Sequence, residues 1–183
     1  MSLQNEEASS QIRAERTRGF RKAAAKFATG ITVVLVETAN GVHGMTANAF
    51  MSVSLNPLTI AVSVANHSRM HQMLALPGTR FTVSVLAHHQ MALSDAFAGR
   101  SDPAALPSPY ERVAQGLVIR ESAAWFCCTR SDAFVSGDHT IIIGQVDDFE
   151  AFDRDPLIFY QGHYYLGFDF SVPDAHWKRL TEA

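Results

Sequence analysis

The chain has 183 residues, of which 47% are hydrophobic and 18% charged, enough apolar material for one domain with a buried core. Its formal net charge of −3 offers no electrostatic attraction to nucleic acid. No apolar run approaches the roughly 20 residues that a membrane-spanning helix needs, and the polar opening MSLQNEEASSQIRAER does not read as a signal peptide. These properties predict a cytoplasmic protein.

The N-terminal part of the chain predicts a tail, a helix and a hairpin. We expect residues 1–13 to form a flexible tail and residues 14–183 to form a single domain. Residues 16–27 predict a helix that ends before Gly30, and the β-branched run ITVVLVET predicts a strand. Asn40-Gly41 then predicts a tight hairpin, because both residues tolerate positive φ.

The remaining elements are mostly short strands. LTIAVSVA and FTVSVLA predict strands, while HSRMHQMLAL and HHQMALSDAFAG predict short helices. Further strands are predicted at residues 117–119, 123–134, 139–149 and 157–168. Because strands and helices do not alternate regularly, the pattern favours an antiparallel barrel with helical decoration over a Rossmann sheet.

Several common catalytic devices are missing from the sequence. It contains no GxGxxG after a strand, no P-loop, no HExxH and no GxSxG. The two cysteines, Cys127 and Cys128, are adjacent, so we interpret them as small core or surface residues rather than a redox pair or a zinc site.

Three segments could carry chemistry, each with a plainer alternative. The small-residue run from Gly44 to Phe50 would let a planar ring approach the backbone, although a turn-rich strand has the same composition. Asn66-His67-Ser68-Arg69 precedes a predicted helix and could bind a phosphate or merely cap the helix. His67 and His71 also have the i, i+4 spacing of two metal ligands, but no third ligand accompanies them.

The third segment is Ser136-Gly137-Asp138-His139-Thr140-Ile141, where a glycine turn enters a strand. His139 there could donate to a nucleotide phosphate or orient a nicotinamide amide, or it could be a structural histidine.

Taken in order, these segments resemble the short-chain flavin reductase family. The match runs through TGITVV, GMTANAFMSVSLNP, SVANHS, FTVSVL with Gln90 and FAG, GDHTIIIGQV, and PLIFYQGHYYLG. The resemblance implies a mainly β fold with short helices, the homodimeric Greek-key split barrel that binds FMN.

The resemblance also implies a set of site residues. The flavin ring would lie against Thr46, Ala47, Asn48, Ala49, Ser63 and Val64. Its ribityl and phosphate groups would meet His67, Ser68, Arg69, Ser84, Gln90, Phe97 and Arg100. The nicotinamide nucleotide would face Gly137, Asp138, His139, Tyr160 and His163, with His139 as the catalytic residue and no metal.

The implied activity is hydride transfer from NADH to FMN, with FAD as the alternative flavin. NADH is favoured over NADPH because Gln161 and His163 stand where relatives often carry arginines. The reduced flavin would go to a monooxygenase, or would reduce ferric iron or another acceptor. A non-catalytic flavin- or haem-binding split barrel and a pyridoxamine-phosphate oxidase relative are the alternatives.

Overall fold

The computed structural model describes residues 2–39, 41–102 and 106–165, with side chains from Ser9 onward. Within these ranges the helices are α1 (Ser2–Ala24), α2 (Arg69–Met73) and α3 (Met91–Phe97). The strands are β1 (Thr29–Gly30), β2 (Thr32–Thr38), β3 (Gly41–Ala47), β4 (Phe50–Leu55), β5 (Leu58–Ala65), β6 (Arg80–Val85), β7 (Tyr110–Val113), β8 (Gly116–Ile119), β9 (Ala124–Ser136), β10 (His139–Ala151), β11 (Ile158–Tyr160) and β12 (His163–Tyr165). The predicted mainly β fold with few helices is confirmed. No helix in the described ranges combines the length and the apolar character needed to cross a membrane.

Helix α1 differs from the predicted helix at both ends. It begins at Ser2 rather than near residue 16, because residues 2–15 are mostly good helix formers even though they present no apolar face. It ends at Ala24 rather than Phe27, since the Lys26 and Phe27 amides donate to carbonyls only three residues back. The mobility of residues 1–13 and the single-domain boundary at residue 14 stay predictions.

The predicted hairpin is present. β2 and β3 pair antiparallel with Thr38 opposite Gly41, while Asn40 of the predicted turn lies outside the described residues. The predicted strand region 157–168, with its break at Gly162, forms the β11–β12 hairpin, because Gln161 and Gly162 have positive φ. Its last residues, 166–168, also lie outside the described part.

The main sheet has seven strands in the order β3-β2-β6-β9-β10-β5-β4. Its two edge strands, β3 and β4, are joined by residues 48–49 alone. In a flat sheet these edges would stand about 29 Å apart, but the connection spans at most about 11 Å. The sheet therefore curls until its edges meet at this connection.

Two clusters of buried side chains lie on opposite faces of the curled sheet. The inner cluster takes Val34 from β2, Val62 from β5 and Ile142 from β10, and a flat sheet would keep β2 apart from the neighbouring strands β5 and β10. The outer cluster takes Val33 and Leu35 from the other face of β2 and packs against the helix and loop layer. Because successive side chains of β2 point to opposite faces, both faces of this strand pack into hydrophobic clusters.

Helix α3 packs directly on the outer face of β3. A Cβ atom on Gly44 would lie 2.5 Å from Cδ1 of Phe97, so only glycine allows the Phe97 ring to rest on this strand. The contact places α3 over the strand that leads into the edge connection.

Candidate functional site

A cavity of about 850 Å³ lies where the edges of the sheet meet. Its walls come from α1 and the following turn, the edge connection, β5, β10 and β11, through residues that include Phe20, Phe27, Thr29, Asn48, Ala49, Ser63, Ile141, Phe159 and Gln161. Its volume falls in the range of small-molecule sites. Phe20 and Phe27 line it yet are 73% and 78% exposed, so the cavity is open on the side of α1.

Two hydrogen bonds fix the edge connection. The Thr32 hydroxyl donates to the Ala47 carbonyl at 2.7 Å, and the Ser63 amide donates to the Ala49 carbonyl at 3.1 Å. Asn48 lies between these two anchored residues and lines the cavity. The backbone of this small-residue segment is thereby held in place as one wall.

One polar atom of the cavity wall has no hydrogen-bond partner. The Thr29 hydroxyl oxygen is buried, yet it makes no hydrogen bond to any residue in the described ranges. Buried hydroxyls in proteins are usually paired, so an unpaired one on a residue that lines a cavity fits a ligand that carries polar atoms. The sequence places Thr29 in the segment TGITVV that resembles the family, but it assigns Thr29 no role, because a single hydroxyl residue forms no recognisable motif.

His139 lies on the same face of β10 as the cavity-lining residue Ile141. The pairing of β10 with β5 sets Ile141 opposite Ser63 and His139 opposite Ala65. Residues two apart on a strand are about 7 Å apart, so His139 lies just beyond the cavity wall. His139 Nδ1 is 2.8 Å from Asp138 Oδ1, and this hydrogen bond lowers the pKa of the Asp138 carboxyl below its usual value.

The residues predicted to hold the flavin ring divide into two groups. Asn48, Ala49 and Ser63 line the cavity. The side chains of Ala47 and Val64 are buried in the inner cluster. The Thr46 hydroxyl donates to the Ser94 carbonyl of α3 at 2.7 Å. The Thr46 side chain is therefore bound to α3, and only the backbone of Thr46 leads into the edge connection.

The residues predicted for the phosphate lie where β5 ends and α2 begins. Ser68 is the N-cap of α2, and its hydroxyl accepts from the His71 amide at 3.1 Å. His67 and Arg69 are exposed beside it. This segment adjoins the Gly137-Asp138 turn, since the Asn66 amide donates to the Asp138 carbonyl at 2.9 Å. The second and third predicted segments therefore form one cluster.

Two of the predicted cofactor residues have structural roles. Ser84 is fully buried, and its hydroxyl accepts from the Ile119 amide of β8 at 3.0 Å. The Gln90 side chain is also buried; it accepts from the Ala87 amide and donates to the Arg120 carbonyl. These hydrogen bonds hold both side chains within the fold, and their contact with the ribityl and phosphate groups stays a prediction.

Phe97 and Arg100 lie at the end of α3, outside the cavity lining. Phe97 packs on Gly44, and Arg100 pairs with Asp95 at 3.1 Å. Tyr164 joins the same group, donating to Asp95 at 2.8 Å. This contact ties the β11–β12 hairpin to α3.

The other predicted nicotinamide residues lie on the β11–β12 hairpin. Tyr160 is half-buried and His163 is exposed, and the two residues pair across the hairpin. Their neighbours Phe159 and Gln161 line the cavity. Tyr160 and His163 are thus chain neighbours of cavity residues but do not line the cavity themselves, whereas Gly137 and Asp138 lie just before β10 and His139 begins it.

Neither cysteine is placed for redox chemistry. Cys127 and Cys128 are both buried, and burial raises the pKa of the Cys127 thiol to about 11 and that of the Cys128 thiol further. Both thiols are therefore protonated and unreactive near neutral pH. In the described part of the chain, no three His, Cys, Asp or Glu side chains come together as a metal site.

Comparison with known proteins gives a consistent result. Residues 24–167 match the family described as flavin reductase like domain. The NADH-dependent flavin reductase StyB of Pseudomonas fluorescens is 41% identical over 151 residues, which cover 80% of this chain and 87% of that protein. The FMN reductase (NADH) SmoA of Agrobacterium fabrum is 40% identical over 149 residues, 81% of this chain and 84% of that protein.

A solved structure shares the fold as well as the sequence. The styrene monooxygenase flavin reductase of Pseudomonas putida superposes with a TM-score of 0.73 at 38% identity, covering 80% of this chain and 95% of that one. The sequence and the fold thus point to the same relatives.

Two serines on different strands, Ser84 on β6 and Ser63 on β5, test the assignment of the cavity. Ser84→Ala leaves the buried Ile119 amide without a partner, so we expect the free energy of unfolding to fall by about 1–3 kcal/mol while FMN affinity is unchanged. Ser63→Ala removes a hydroxyl from the cavity wall, so we expect weaker FMN binding with little loss of stability. Denaturant unfolding and FMN fluorescence titration measure the two effects. If Ser84→Ala weakened FMN binding as much as Ser63→Ala, the assignment of Ser84 to the fold would be wrong.

Proposed function

Because the chain belongs to the flavin reductase family, we propose that it is an NADH-dependent reductase of FMN. NADH gives a hydride and the solvent gives a proton, so the products are NAD⁺ and reduced FMN. The observation that carries this proposal is the cavity at the closed edge of the sheet, with its apolar walls and the unpaired Thr29 hydroxyl.

The residues of the cavity fit an isoalloxazine ring. Phe27 and Phe159 supply apolar surface, while Asn48 and the Thr29 hydroxyl supply hydrogen-bonding groups for a polar edge. A bound flavin supplies the redox chemistry, because it accepts the hydride. The protein's part is to hold the ring on the fixed edge connection and to exclude water from one side.

His139 is the residue that we propose to contact the nicotinamide nucleotide. Its side chain is half-exposed, with 47% of its surface accessible, and it lies beyond the cavity wall on the Ser63 side. The bond from Nδ1 to Asp138 leaves Nε2 free to contact a substrate. We propose that Tyr160 and His163 also contact the nucleotide, because they pair on the β11–β12 hairpin next to the cavity residues Phe159 and Gln161.

The preference for NADH over NADPH is part of the proposal. Gln161 lines the cavity and carries no charge, and His163 beside it is exposed. A 2′-phosphate is best recognised by arginine, which makes two parallel charge-assisted hydrogen bonds. The rim formed by the β11–β12 hairpin offers no such group.

We propose that the reduced flavin is used by a separate monooxygenase. This rests on the solved relative that is named as the flavin reductase of a styrene monooxygenase. The non-catalytic alternative gains no support from these relatives, since each is named as a reductase.

A homodimer is the assembly that we propose. The edge strand β4 exposes Val53 at 48% and Leu55 at 86%, and the neighbouring cavity residues Met51 and Ile141 are also exposed. Adjacent exposed apolar side chains of this size mark an interaction surface. A second copy placed here would cover both this face and the open side of the cavity.

Two further proposals concern the type of barrel and the location of the protein in the cell. We propose that the curled seven-stranded sheet is a Greek-key split barrel, supported by the two-residue link between its edge strands. We propose a cytoplasmic location, supported by two free, buried cysteines and no disulfide among the described residues.

Purified protein mixed with NADH and FMN should consume NADH.

His139→Ala should raise KM for NADH about tenfold while FMN affinity is unchanged, because a charge-assisted contact to the nucleotide is lost. His89→Ala is the matched control, because His89 is equally exposed and also faces an acidic residue, Glu121, at 3.5 Å. NADH oxidation and FMN titration provide the measurement. Absence of NADH oxidation with FMN would refute the proposed function, and weakened FMN binding with normal KM would remove the role of His139.

Light scattering after size-exclusion chromatography should give twice the chain mass of 20.1 kDa. Val53→Lys places a charge on the exposed face of β4, so we expect it to shift the protein towards the monomer and to weaken FMN binding. Leu76→Lys is the control, since Leu76 is 73% exposed in the loop after α2. A monomeric wild-type protein, or a Val53→Lys dimer as stable as the control, would contradict the proposed interface.

A further inference from the structure

Asn66 binds the turn that precedes His139. Gly137 and Asp138 form the two-residue link between β9 and β10, with Gly137 at a φ of +61°. The Asn66 amide donates to the Asp138 carbonyl at 2.9 Å, and its side-chain Nδ2 donates to the Gly137 carbonyl at 3.1 Å. Both carbonyls of the turn are therefore bound by the same residue.

The direction of each further hydrogen bond follows from this contact. A carbonyl only accepts, so Nδ2 of Asn66 must face Gly137, and Oδ1 of Asn66 must face Thr140. The Thr140 hydroxyl lies 2.7 Å from that Oδ1 and donates to it. Its single proton is then used, so the contact of 3.1 Å with His71 Nε2 requires His71 to donate. The chain runs from His71 through Thr140 and Asn66 to the turn.

This chain is anchored in the fold at its other end. The His71 amide donates to the Ser68 hydroxyl that caps α2, and Thr140 is 2% exposed within the sheet. Residues 136–139 are all exposed. Strand pairing holds the backbone of Ser136 and His139, which lie opposite each other across the β9–β10 hairpin, with His139 also opposite Ala65 of β5. Asn66 binds the two carbonyls between them, so the position of Asp138, the hydrogen-bond partner of His139 Nδ1, depends on the bonds of Asn66 and Thr140.

We propose that Asn66 and Thr140 are positioning residues for the nicotinamide nucleotide. They fix the Gly137-Asp138 turn so that His139 meets the nucleotide at the cavity rim. The inference rests on the proposed function, because it takes His139 to be the nucleotide contact. Neither residue touches the reacting atoms.

Thr140→Val tests the proposal, because valine keeps the shape and strand preference of threonine but lacks the hydroxyl. Asn66 Oδ1 then has no donor, and the side-chain amide is free to rotate away from the turn. We expect KM for NADH to rise about fivefold, the factor that one hydrogen bond commonly contributes. We expect kcat to change less than about twofold and FMN affinity to stay the same. Thr140→Ser restores the hydroxyl, so its KM should return close to the wild-type value.

Thr82→Val is the matched control. Thr82 is also a buried strand threonine, and its hydroxyl donates to the Leu117 carbonyl at 2.6 Å, away from the turn. We expect both valine variants to lose thermal stability, but only Thr140→Val to raise KM. Hydrogen–deuterium exchange of the Asn66 amide should also accelerate in Thr140→Val alone.

The outcomes distinguish a failure of the proposed function from a failure of the positioning role alone. If wild-type protein oxidises no NADH, the proposed function fails, and the positioning role fails with it. If wild-type protein is active but Thr140→Val has a normal KM, only the positioning role is overturned. An equal rise in KM for Thr82→Val, or no recovery in Thr140→Ser, would also overturn it, because the effect would then follow from general loss of stability or from a cause other than the hydroxyl.

Discussion

The two-residue connection between β3 and β4 is the constraint on which the rest of the structure depends. These strands are the opposite edges of a seven-stranded sheet. A link of two residues can join them only if the sheet curls on itself. Curling brings strands from across the sheet into one inner cluster of buried side chains. It also places the residues of the link, Asn48 and Ala49, against β5, where the Ser63 amide holds them.

The same closure explains why a cavity forms at this place. The side chains at positions 47–49 are short, and α1 crosses beside them with Phe20 and the following Phe27. The cavity wall continues through Ser63 to Ile141 on β10, and His139 follows on the same face. A ring bound against the link and a nucleotide bound near His139 would therefore be neighbours. The fold, the proposed flavin site and the proposed nucleotide site all depend on this closure of the sheet and on the pairing of β5 with β10.

Much of this architecture could be predicted from the sequence, because it depends on local signals. Asn40-Gly41 predicted the β2–β3 hairpin, and alternating apolar residues predicted β5, β6, β9 and β10. Asn48, Ala49 and Ser63 were placed at the site through the family resemblance, and the structure puts them on the cavity. Local signals do not show what a polar side chain on a buried strand faces. Ser84 was assigned to the flavin through the same resemblance, and in the structure its hydroxyl accepts from the Ile119 amide of β8.

Contacts between distant segments were the least predictable part. The role of Asn66 depends on a turn 71 residues away, and the exposure of Thr29 to the cavity depends on where α1, β5 and β11 come together. Such relations exist only in the folded chain. The N-terminal part of α1, residues 2–15, was also missed, because helix propensity without an apolar face leaves no periodic signal.

A crystal structure of the protein with FMN tests whether the flavin binds at the closed edge of the sheet. We expect the isoalloxazine ring to lie against Asn48 and Ala49, beside Ser63, with the Thr29 hydroxyl hydrogen-bonded to the flavin. A flavin bound elsewhere, with the Thr29 hydroxyl still unpaired, would contradict it.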